Sequence, residues 1–135
     1  MSTSPVLALR KAIRAYLLAD AGFAAELGEK IFDEAPRGAE PPYAVFGESQ
    51  MRDWSADLSR GAEQIFVLGL VSTLRGLSEA LERAQRIVDL LDEAPLVLQD
   101  NRLIDLRFLS LETRREQSGR FARVNMRFRA VTEYL

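Results

Sequence analysis

One stretch near the end of the chain constrains the fold more than any other. From Arg120 to Glu133 the residues alternate, with Ala122, Val124, Met126, Phe128 and Ala130 on one side and Arg123, Asn125, Arg127 and Arg129 on the other. A period of two sustained over this length is the pattern of a strand with one buried and one wetted face. Leu103 to Glu112 alternates as well, with Ile104, Leu106 and Phe108 sharing a face. Gln117-Ser-Gly-Arg120 supplies the turn between the two, Gly119 being free to take a positive φ. The chain therefore closes with a hairpin, and a hairpin with one apolar face needs a layer to cover it.

Two helical patterns provide that layer. Val6, Leu9, Ile13, Tyr16 and Leu17 recur at three- and four-residue spacing, while Arg10, Lys11 and Arg14 fall on the other side. Ser4 is placed to cap this helix, ahead of Pro5 at the first helical position, where the missing N–H costs nothing. Asp20 and Gly22 end it, and Phe23 to Leu27 reads as one further helical turn closed by Gly28. Arg75 to Asp92 is the strongest helix: Leu77, Ala80, Leu81, Ala84, Ile87, Val88 and Leu91 form a stripe opposite Glu79, Glu82, Arg83, Arg86 and Asp89. Glu82 and Arg86 form an i,i+4 pair in the favourable order, worth a few tenths of a kcal/mol, and Pro95 follows the stop.

Between the helices lie the remaining strands. Lys30 to Asp33 is a short extended piece that runs into a surface connection punctuated by Pro36, Gly38, Pro41 and Pro42. Tyr43 to Glu48 is a strand continuing toward Met51. Gly61 to Thr73 contains a stronger one, with Ile65, Phe66, Val67, Leu68, Leu70 and Val71 apolar on both faces. Such a strand is central, covered on each side, or covered on one side by a neighbouring subunit. Ser49 to Arg60 joins the two strands, is too long for a tight hairpin turn, and carries the one tryptophan, Trp54. The expected fold is α+β: a mostly antiparallel sheet of about four to five strands with helices on one face, in the order α-β-β-β-α-β-β. One domain spanning residues 1–135 accommodates it.

Composition then narrows the chemistry. The chain has no cysteine and no histidine, which removes thiol nucleophiles, thiolate and imidazole metal sites, and the usual general base near neutral pH. Only Lys11 and Lys30 remain as amine groups, and no acid–base pair suggests itself, so no catalytic, cofactor-binding or metal-binding residue is expected. Asp53 and Asp57 do not have the register of a calcium loop, and the glycines never cluster into a phosphate-binding pattern. The net charge is −2, too small for a global field that would hold nucleic acid or an anionic membrane. No apolar run approaches the roughly 20 residues of a membrane span, and Met1-Ser-Thr-Ser-Pro5 lacks a signal-peptide core. The expectation is a protein made and folded in the cytoplasm, without a membrane partner.

Two surfaces stand out for binding. Arg107, Arg123, Arg127 and Arg129 line up on one side of the closing hairpin, where they either meet phosphate or a partner's carboxylates or pair with Asp105, Glu112 or Glu133 across the strands. Trp54, flanked by Arg52, Asp53, Asp57 and Arg60, is either an exposed interface anchor or folds back over the edge of the core.

Several phrases, taken in order, resemble the tail-completion, or tail-terminator, family of long-tailed bacteriophages, prophages and phage-like gene transfer agents. They are Asp20-Ala-Gly-Phe running into Gly28-Glu-Lys-Ile-Phe-Asp-Glu-Ala-Pro36, then Pro41-Pro-Tyr-Ala-Val-Phe-Gly-Glu48, Asp53-Trp-Ser55 and Gly61-Ala-Glu63. Val71-Ser-Thr73 with Arg75-Gly76, and Gly119-Arg120 leading to Arg127-Phe-Arg-Ala-Val-Thr-Glu133, complete the set. The resemblance spans nearly the whole chain and includes no catalytic signature. It implies a non-enzymatic virion component that assembles as a homohexameric ring at the head-proximal end of the tail. Its partners would be the major tail tube protein and a head-completion or stopper protein, with DNA met only as it passes through the ring. On that reading the interface residues are Arg52, Asp53, Trp54, Asp57 and Arg60 in one group and Arg123, Arg127 and Arg129 in the other. A different connector, stopper or tube role in the same particle is the nearest alternative, and a small nucleic-acid-binding module using the arginine face is a more distant one.

Overall fold

The computed structural model describes residues 3–115 and 120–135. In chain order it contains α1 (Pro5–Leu18), α2 (Ala21–Leu27), β1 (Ile31–Phe32), β2 (Tyr43–Asp53), β3 (Gly61–Thr73), a 3₁₀ turn (Leu74–Gly76), α3 (Leu77–Leu91), β4 (Asn101–Arg115) and β5 (Phe121–Tyr134). The five strands form one sheet in the order β1-β2-β3-β5-β4, antiparallel throughout except for β1 against β2. The expected α+β class is observed, with one addition. The turn at Phe23 is a full seven-residue helix, N-capped by the Asp20 carboxylate accepting from the Phe23 N–H at 2.9 Å and ended by Gly28 at φ 60°. The turn expected at Gln117-Ser-Gly-Arg120 lies, but for Arg120, outside the described residues.

All three helices lie on one face of the sheet, and the core sits between. Ala8, Leu9, Ile13 and Leu17 of α1, Phe23 and Leu27 of α2, and Ala80, Ala84, Ile87 and Leu91 of α3 meet the inward residues of β3 and β5. Those inward residues are Phe66, Leu68 and Leu70 paired with Phe128, Met126 and Val124, and the Phe66 and Phe128 rings stack at 5.4 Å. The alternation of β5 holds without a break: Ala122, Val124, Met126, Phe128 and Ala130 are all inaccessible. Ser4 caps α1 with Pro5 at its start, as the sequence requires.

Three local expectations give way to tertiary structure. In β4, Ile104 does not share the face of Leu106 and Phe108; it is 53% exposed, and Leu103 takes the inward position instead. The pairing with β5 shifts register between Leu103 and Asp105 and again between Phe108 and Ser110, and each extra residue turns the following side chains over. Glu82 and Arg86 do not pair: Arg86 instead reaches Asp20, the cap of α2, at 3.3 Å, while Arg83 bridges Glu26 of α2 and Glu79 of its own helix. Arg10 is not on the solvent side of α1. Its guanidinium lies over Phe46 at 5.0 Å and donates to the Gly47 carbonyl and the Ser49 hydroxyl, tying α1 to β2.

Candidate functional site

The expected Ser49–Arg60 connection begins as strand, from Ser49 to Asp53. β2 continues through Asp53, and pairing with β3 resumes past a bulge between Phe46 and Ser49 and runs to Asp53 opposite Ala62. The expected long loop is therefore a hairpin arm. Bulging lets the register be re-set, which hid the second half of the strand from a period-two reading. Beyond Asp53 the chain narrows: the Trp54 N–H donates to the Gly61 carbonyl at 2.9 Å, and Ala56 and Ser59 bridge one another. Asp57 and Leu58 form the tip, where Leu58 is fully exposed. The Ser55 hydroxyl donates to the Asp53 carboxylate and accepts from the Gly61 N–H, fixing the neck of the arm. Gly61 has no room for a side chain, since a Cβ there would come 2.8 Å from the Thr132 carbonyl oxygen.

At the base of this arm Arg52, Trp54 and Arg129 meet, around a residue that the sequence reading passed over. Glu63 stands on β3 directly opposite Arg52, on the sheet face away from the helices. Its side chain is only 10% exposed. Arg52 donates through Nε to one carboxylate oxygen at 2.5 Å, and Arg129 donates through Nε and Nη2 to the other at 2.6 Å. These two guanidiniums, Arg52 first, hold the Glu63 carboxyl below the ordinary glutamate range, against the opposing effect of burial. Both then lie against the indole of Trp54, 5.3 and 5.2 Å from its centroid. The quadrupole of the ring favours a cation over its face, about 0.5–1 kcal/mol each at a site this open. Trp54 is thus held between two arginines with 48% of its surface exposed. It lies over the outer face of the sheet, between β2 and β5, and still offers an indole outward.

The other predicted residues separate into two further places. Asp57 and Arg60 sit beyond the cluster in the arm, with the Arg60 carbonyl accepting from the Tyr134 N–H. Arg123 and Arg127 lie further along the open sheet face, in a shallow groove of about 350 Å³ floored by Gly47 and Val67 and bordered by Ser110, Glu112 and Arg114. Arg123 lies flat over Gly69, where a Cβ would fall 2.7 Å from its guanidinium, and donates to the Asn125 side chain. Arg127 is exposed and has no carboxylate within ion-pair distance among the described residues.

The cross-strand pairings expected for the arginines do not form among the described residues: Arg107 pairs with Asp105 two residues back on its own strand, at 3.0 Å, and Arg129 chooses Glu63. Glu63 was missed because it falls in an apolar run and its carboxylate finds its partners from two other strands. Its only signal in the sequence is an acid inside a strand with two apolar faces, a position that demands a counter-charge. Among the described residues no group of three or more histidine, cysteine, aspartate or glutamate side chains could hold a metal ion, and no helix is long and apolar enough to cross a membrane.

A family model described as tail completion protein gp17 matches residues 11–133. The chain belongs to that family. Its fold is also that of a chain in a solved structure titled "Virion of native gene transfer agent (GTA) particle", with a TM-score of 0.88 and 32% identity over 98% of this chain and 99% of that one. No curated protein matches. Membership makes this a structural component of the tail in a phage or phage-like particle, and it confirms the resemblance read from the ordered phrases. Arg52, Trp54, Glu63 and Arg129 are the part of this family member where sequence-predicted residues converge.

Proposed function

We propose that six copies of this chain, each folded as one domain, assemble into a ring at the head-proximal end of the tail. The ring stops the tube from growing and offers its far side to a head-completion protein, with no catalytic step. Its partners on this reading are other copies of itself, the tail tube protein and the head-completion protein, with DNA touching it only during passage through the lumen. The observation that carries the reading is the match over essentially both full lengths to a chain of a gene transfer agent virion. A likeness that leaves no part of either chain over favours the same job within the particle. A closed ring requires two unlike surfaces of each copy, and the open sheet face is suited to be one of them.

Within this reading the Arg52–Arg60 arm contacts a tube subunit or the next copy, and Arg123, Arg127 and Arg129 contribute to the seam between copies. Trp54→Ala combined with Asp57→Ala should leave the chain folded and weaken assembly. Unchanged ring formation and particle yield would remove the arm from the interface. The role itself is tested by native mass spectrometry of the purified chain, alone and with tube protein, and by particles made without it. A protein that stops polymerisation leaves overlong tubes when absent. Missing tubes would instead point to a tube subunit, and tubes of normal length lacking heads to a connector.

A further inference from the structure

The sheet is clothed on one side only; on the bare side an apolar floor of Ile65 and Val67 is bordered by Arg114, Arg123 and Arg127, with Glu48 and Glu112 among them. Ile65 and Val67 remain half-buried at the middle of β3, and across from them on β5 stand Arg129 and Arg127, with Arg123 further along, opposite Val71. The outward side of α3 carries the complementary set. Glu82 and Asp89 are exposed there, and no cation lies within ion-pair distance of either among the described residues. Leu81, 37% exposed, lies on the flank of that side, between the two acids' face and the buried stripe of α3. Glu82 and Asp89 are separated by roughly 10 Å along the helix axis, and Arg123 and Arg127 by about 13 Å along their strand. Two long guanidinium side chains close a difference of that size. Arg123 keeps free N–H donors after its bond to Asn125, since a guanidinium carries several.

We propose that α3 of one copy lies on the open sheet face of the next, with Leu81 against Ile65 and Val67 and with Glu82 and Asp89 paired to Arg123 and Arg127. The helix supplies the second layer that the sheet lacks in a single chain. Because the contact joins two different surfaces, it runs head to tail and closes on itself when the rotation per copy allows. This rests on the ring reading above and names its seam.

The chain has no cysteine, so disulfide trapping reports only on an introduced pair. Val67→Cys and Leu81→Cys in one chain lie on opposite sides of the sheet and helix layers, beyond the reach of a bond within that chain. Mild oxidation should then give a ladder of covalent multimers. A Leu7→Cys/Val67→Cys control, with its second cysteine on α1, should give roughly tenfold less. The charges are tested by reversal. Glu82→Arg/Asp89→Arg and Arg123→Glu/Arg127→Glu should each abolish assembly alone, and an equimolar mixture should restore it with the two variants in equal number. If the native chain forms rings but the ladder matches its control and the mixture does not assemble, this seam is wrong and the ring stands. If no multimer of the native chain appears with or without tube protein, and no ladder forms, both fall together.

Discussion

Toward the helices, Phe66, Leu68 and Leu70 of β3 and Val124, Met126 and Phe128 of β5 are 0 to 3% exposed. On the other side of the same two strands, Ile65 and Val67 stay half-buried, and Arg127 is exposed beside them. Both faces of β3 are apolar in the sequence, yet only one is completed by the chain itself. At one end of the open face the charges are settled internally, by Glu63 taking Arg52 and Arg129. At the other end Arg127 is left without a carboxylate among the described residues. The difference separates what holds the fold from what is available to a neighbour. A face whose charges are neutralised within the chain gains little from a partner, whereas an unpaired arginine over an apolar floor gains both burial and a counter-ion.

Substitutions should therefore divide by face. The largest loss is expected for Phe128→Ala, which removes a ring stacked on Phe66 and edge-on to Phe108; about 3–5 kcal/mol should appear in urea unfolding. Gly61→Ala comes next, because its Cβ would press on the Thr132 carbonyl at the neck of the arm. About 1–3 kcal/mol is expected, together with altered Trp54 fluorescence. A loss confined to stability, with the indole unmoved, would break the link between the neck and the arm.

Glu63→Gln is a smaller change to the fold and a larger one to the arm. Without the carboxylate the two arginines lose their anchor, and Trp54 should become more readily quenched. The same tie predicts a pH dependence. The folded carboxyl titrates below its unfolded value, so its stabilisation is complete above the ordinary glutamate range and is lost as pH falls through the lowered value. Acid titration of Trp54 fluorescence should show this step in the native chain and not in Glu63→Gln. The smallest effect on folding is expected for Arg127→Glu, within about 0.5 kcal/mol by urea unfolding. Its effect should instead fall on assembly, and a destabilised monomer with normal assembly would invert the comparison.

Much of the fold was legible because alternation and helical stripes are properties of single segments. The capping of α1 by Ser4 and the inward set of β5 follow from spacing alone, whereas the central place of β3 was one of three readings of its two apolar faces. Ile104 was misassigned because a bulge in β4 is decided by what β5 offers it, and the full run of β2 to Asp53, beyond the expected reach toward Met51, was obscured by the bulge after Phe46. Of the candidate surface, each residue type was legible and the grouping was not. Trp54 does not fold back over the core: it rests on the Arg52 and Arg129 guanidiniums with 48% of its surface exposed.

By itself the sequence determined the class of fold, the face of β5 that is buried, and the absence of thiol and imidazole chemistry, because these depend on residue type and local period. Tertiary structure alone decided that Glu63 gathers Arg52, Arg129 and Trp54, that Arg10 docks α1 on β2, and that one apolar face of β3 is left without a layer. Those outcomes join residues far apart along the chain, and a carboxylate selects its partners by distance in space.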